Sequence, residues 1–121
     1  MGQRGYLKGY NISSTNNFSL PDEESLINIY KVLNDKGVIL ILVSTPFYWD
    51  CLENANEYQK EYLKGFALKF CKNHKGCFYQ DYSSDLRFEY DDFYDEAHVS
   101  CTGARKLTNG LNDLIDSLLY K

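Results

Sequence analysis

Along this chain the spacing of apolar positions changes several times, and each change marks an element. From Pro21 the period is helical: a proline for the first turn, the acids Asp22-Glu23-Glu24 where negative charge suits the positive end of a helix dipole, then Leu26, Ile29, Tyr30 and Leu33 on one face. Lys36-Gly37 closes it, a basic residue followed by the glycine that helix C-termini favour. Val38 to Val43 is then apolar at every position, the pattern of a strand covered on both faces. Ser44-Thr45-Pro46 stops it, because proline cannot donate to a ladder and restricts the residue before it. A second helical stretch runs from about Asn54 to Asn73, with Tyr58, Tyr62, Leu63, Phe66 and Phe70 as its buried stripe and His74-Lys75-Gly76 as its close. Cys77 to Asp81 reads as a short strand and Tyr82 to Val99 as a long polar and aromatic loop. The last helix takes Ser100 or Thr102 as N-cap and presents Ala104, Leu107, Leu111, Leu114, Ile115 and Leu118 at core-facing spacing. Met1 to Leu20, rich in Gly, Asn and Ser, keeps no long period and is read as loop with one short strand.

Helix, strand, helix, strand, helix with such connections implies parallel strands joined by right-handed crossovers, the layered α/β class, in one domain or part of one spanning 1–121. Two parallel strands do not make a stable sheet, so the N-terminal stretch or strands upstream of Met1 are expected to complete it. An edge left unpaired invites association with a second copy.

Charge narrows the partners. The 13 basic and 17 acidic residues are interleaved and the net charge is -4, which argues against a nucleic-acid surface. The longest apolar run is far below the ~20 residues that span a bilayer, and no signal peptide opens the chain. Four cysteines do not amount to a disulfide framework and are read as reduced thiols. Cys71-x-x-His74-x-x-Cys77 has a spacing that zinc accepts with Cys51 or Cys101 as fourth ligand, but helix end, turn and strand start explain it more simply; no metal or cofactor is expected.

Chemistry concentrates at the end of the long loop. In Phe93-Tyr94-Asp95-Glu96-Ala97-His98-Val99-Ser100 a carboxylate stands three residues before a histidine, where it can hold the imidazole by its Nδ1 hydrogen and leave Nε2 to take a proton from a serine. The plain alternative is a helix-capping acid beside a surface histidine. Phe47, Tyr48 and Trp49, with Phe88, Tyr90, Phe93 and Tyr94, add aromatic faces suited to a groove for a sugar or acyl group, or to a core.

The block Phe93-Tyr94-Asp95-x-x-His98-x-Ser100-x-x-Gly103-Ala104, followed by Leu107 and an amphipathic helix, resembles the last block of the SGNH (GDSL-like) hydrolases, especially their polysaccharide O-acetyltransferase branch. The buried strand running into Thr45-Pro46-Phe47-Tyr48, and the short strand ending at Asp81-Tyr82-Ser83, resemble that branch in the same order, over roughly residues 20–120. The resemblance implies a three-layer flavodoxin-like fold, incomplete at its N-terminus, acting on acylated carbohydrate or another ester, with Asp95 orienting His98 as general base and then general acid. It also implies a serine in a Gly-Asp-Ser block, and none occurs in these 121 residues. Truncation upstream or loss of catalysis would each account for that, the latter leaving a glycan- or subunit-binding domain. Ser44, at the carboxyl end of the strand, is the substitute nucleophile, though it precedes Thr-Pro rather than opening a helix. Gly9-Tyr10-Asn11 has the G-x-N form whose Asn11 would help bind an oxyanion. An unrelated α/β interaction domain, with the Asp-x-x-His spacing a coincidence, would leave Asp95 and His98 beyond hydrogen-bond distance.

Overall fold

Asp22 starts the first helix by satisfying an amide that a helix leaves unpaired: its Oδ1 accepts the Ser25 N–H at 3.0 Å, and its Oδ2 also accepts the Ser25 hydroxyl at 2.7 Å. The computed structural model of the chain describes residues 22–48 and 57–120, and in it this helix, α1, spans Glu23–Asp35. Pro21 and the N-terminal stretch therefore lie outside the described residues, as do positions 54–56 of the second helix. Gly37, at φ +69°, supplies the left-handed step that lets the chain turn from α1 into strand β1, Leu40–Ser44. Helix α2, Glu57–Asn73, and strand β2, Cys77–Asp81, follow, with Gly76 at φ +84° in the turn between them.

Strands β1 and β2 pair in parallel, with Leu40 opposite Cys77 and Ser44 opposite Asp81. The chain is thus of the mixed α/β kind that its periodicity predicts, with a two-stranded parallel sheet among the described residues. Two expectations are corrected here. Every residue of β1 is half-buried rather than fully covered. In α2 the expected stripe is buried only at Phe70, which Ala67 joins; Phe66 is half-buried, and Tyr58, Tyr62 and Leu63 are exposed. A period of 3.6 names the apolar face of a helix, but how much of it is covered depends on what packs there.

The loop from Tyr82 to Val99 is also more regular than its composition suggests. It contains a 3₁₀ turn at Tyr90–Asp92 and an antiparallel hairpin of β3, Phe93–Asp95, and β4, His98–Val99. Helix α3, Cys101–Leu119, begins at Ser100, whose Oγ accepts the Gly103 N–H. The buried core joins Tyr82, Phe88 and Phe93, with Val43, Tyr48, Val99, Leu107 and Leu111 against it. No helix among the described residues is long and apolar enough to cross a membrane.

Candidate active site

The Asp-x-x-His spacing becomes a hairpin because two strands of opposite direction need only a tight turn between them: Asp95 and His98 face each other across the ladder, with Glu96 and Ala97 at the tip. Asp95 Oδ1 accepts the Ala97 N–H at 3.0 Å, an Asx-type contact that closes the turn. The same oxygen lies 2.7 Å from His98 Nδ1. A carboxylate oxygen can only accept, so this bond places the Nδ1 proton on the ring. The imidazole is 64% exposed, and among the described residues Nε2 has no partner. An acceptor nitrogen thus faces solvent on a ring whose other end is fixed. The contact also runs against a coincidental spacing, which would have kept the two side chains apart.

Three attachments hold the hairpin in place. At its tip, the Glu96 carbonyl accepts the Tyr48 N–H at 3.0 Å, and Tyr48 leaves the carboxyl end of β1. The site therefore sits beyond the carboxyl ends of the parallel strands, where open α/β sheets place their ligands. At its base, the Ser100 N–H donates to the Asp92 carbonyl at 2.8 Å, and the Ser100 and Thr102 hydroxyls both donate to the Asp91 carbonyl. Close approach of α3 makes the third: a Cβ on Gly103 would fall onto the Asp92 carbonyl oxygen and 2.9 Å from Val99 Cβ, so only glycine fits.

Beneath the hairpin lies an ion pair that sequence reasoning did not single out. Lys106 Nζ is 2.6 Å from Asp92 Oδ2 and 2.7 Å from the Arg87 carbonyl. Asp92 is buried, and burial by itself opposes its charge. The Lys106 ammonium and the Glu89 N–H, 2.8 Å from its Oδ2, outweigh that and hold its carboxyl below the usual aspartate range. Glu96 is different: it is 1% exposed, and among the described residues neither carboxyl oxygen has a hydrogen-bond partner. Its sequence gives no signal of this, being one more acid in an acidic loop.

Ser44, the candidate nucleophile, is not drawn into this site. Ser44 Oγ is 2.6 Å from the Tyr79 hydroxyl and makes no hydrogen bond to His98. Asn11 lies outside the described residues, as do Trp49 and Cys51. Of the aromatic set, Phe88 and Phe93 belong to the core, whereas Tyr90 and Tyr94 are exposed. Tyr48 packs edge-on to Phe93 at 5.6 Å and to Tyr90 at 6.2 Å. Cys71, His74 and Cys77 do not form a metal cluster, and no group of three or more such ligands occurs among the described residues. His74 Nδ1–H instead donates to the Phe70 carbonyl at 2.7 Å.

No protein-family model, curated protein or solved structure matches the chain. The likeness to SGNH enzymes thus stands on the residues quoted for it.

Proposed function

We propose that this chain carries the Asp–His half of an SGNH-like ester hydrolase or O-acetyltransferase domain acting on acylated carbohydrate. The observation that carries the reading is the 2.7 Å bond from His98 Nδ1–H to Asp95, with Nε2 left open beyond the carboxyl ends of the strands. In this reading Nε2 removes the serine proton as Oγ attacks the ester carbonyl, and Asp95 stabilises the imidazolium that forms. His98 then returns the proton to the departing sugar oxygen, and the acyl group passes to water or to an acceptor hydroxyl by the reverse sequence. The serine comes from a Gly-Asp-Ser segment outside the 121 residues, and the strand that bears it extends the sheet toward a three-layer flavodoxin-like arrangement. Exposed Tyr90 and Tyr94 offer aromatic faces for a sugar ring. Where such strands are absent, a second copy of the chain covers the open sheet edge.

A non-catalytic glycan- or subunit-binding domain is the second reading, supported by the lack of any hydroxyl at His98 Nε2 among the described residues. Fluorophosphonate labelling separates the two. It is applied to the polypeptide that includes the sequence encoded upstream of Met1, beside the same polypeptide with His98→Ala. An adduct on a serine that disappears with His98→Ala is expected; no adduct in either protein rejects catalysis and leaves the binding domain. A His98-dependent adduct on Ser44 would keep the enzyme but replace the upstream serine.

A further inference from the structure

Cys71, in the last turn of α2, and Cys77, the first residue of β2, bring their Sγ atoms to 2.7 Å. That is within about 0.7 Å of a covalent S–S bond. The turn between them is held from several sides. The Cys77 N–H donates to the His74 carbonyl at 3.1 Å, and the Gly76 carbonyl accepts the Leu40 N–H of β1 at 2.9 Å. The His74 ring stacks on Phe70 at 4.0 Å, and Tyr30 packs against it at 4.8 Å while its hydroxyl donates to the Lys75 carbonyl. Helix α1, strand β1 and the turn thus fix the two thiols face to face, which gives each a high effective concentration for the other.

We propose that Cys71 and Cys77 are a redox pair that closes to a disulfide, stapling the crossover helix α2 to strand β2, with a thiol–disulfide exchange partner as the oxidant. The half-buried Cys71 is the more accessible and attacks first. Its thiolate displaces one thiolate from the partner disulfide, giving a mixed disulfide. The Cys77 thiolate then attacks Cys71 Sγ and releases the second thiolate. Two protein thiols and one disulfide R–S–S–R become one protein disulfide and two R–SH; the protein is oxidised, the partner reduced, and the two protons end on the departing sulfurs. Burial, joined by the contact with Cys77, pushes the Cys71 thiol up to about 12, so thiolate is scarce and closure at neutral pH is slow without a catalyst. This inference is independent of any role for His98.

The purified chain is incubated at pH 9 with oxidised or reduced glutathione, alkylated under denaturing conditions and mapped by peptide mass spectrometry. Oxidised protein is expected to yield one Cys71–Cys77 cross-linked peptide. Its Tm is expected to exceed that of the reduced protein by about 5 °C, a difference that Cys71→Ser abolishes while the far-UV spectrum is kept. Full alkylation of both residues after oxidation, or pairing of either with Cys51 or Cys101, overturns the proposal.

Discussion

The segment running from Tyr82 through the hairpin into α3 and the unit of α1, β1, α2 and β2 are held together in different ways. The first looks like an irregular connection in sequence, yet it holds the buried side chains of Tyr82, Phe88, Asp92, Phe93 and Glu96. The second carries the clearest periodicities of the chain, yet α1 buries no residue and Ile29, Val32 and Val38 are exposed. Pattern strength reports how an element would bury a face; burial itself is decided by the number of elements that reach it. The candidate site stands on the better-packed segment, as a pair of side chains kept in one geometry requires.

Substitutions on the two sides should expose this difference. Phe93→Ala, at a ring 5% exposed in the core, is expected to cost about 3–5 kcal/mol in urea unfolding. Gly103→Ala should cost about 3 kcal/mol, because its methyl meets the Asp92 carbonyl and Val99, and should disturb the hairpin along with the helix start. If both changes are mild, the hairpin is not the rigid part of the molecule.

Lys106→Met should cost about 1–2 kcal/mol near neutral pH, below the value for a fully buried pair because the lysine is partly exposed to solvent screening. The sign with pH follows from Asp92. Its folded-state carboxyl is held below its unfolded value of about 3.9, so the stabilisation is complete above that pH and is lost as the pH falls through the folded value. The difference between parent and Lys106→Met should therefore shrink below about pH 4 and vanish once Asp92 is protonated in both states. Unfolding curves at a series of pH values measure it, and a gap that persists in acid removes the ion pair as its cause. At the small end, Val32→Ala, at a side chain 56% exposed on α1, should change stability by no more than about 0.5 kcal/mol. A cost above about 2 kcal/mol would mean that a partner, a second copy included, covers α1 in solution.

Much of the frame is legible in the residues themselves. Gly37 closes α1 and Gly76 the turn before β2, Ser100 caps α3, and the short run Cys77 to Asp81 is a strand. The spacing of Asp95 and His98 contains their contact, since a two-residue turn leaves the fourth position opposite the first. The supports of that contact are not legible there. Lys106 reaches Asp92 across 14 positions, and Tyr48 reaches Glu96 across 48, separations to which no local period corresponds. Gly103 stands in the quoted block, but its need for a bare Cα comes from a carbonyl eleven residues earlier. The stripe of α2 shows the converse: Tyr58, Tyr62 and Leu63 keep the right spacing, and exposure at a face is set by neighbours that the spacing does not name.

The state of the His98 ring is the most direct test of the site. Long-range nitrogen–proton NMR of the imidazole at a pH where it is neutral distinguishes the two tautomers in the chain as it stands. The proton is expected on Nδ1, held by Asp95, with Nε2 bare, and Asp95→Asn should abolish that preference. A ring protonated on Nε2, unchanged by Asp95→Asn, would contradict the arrangement and leave His98 an ordinary surface histidine.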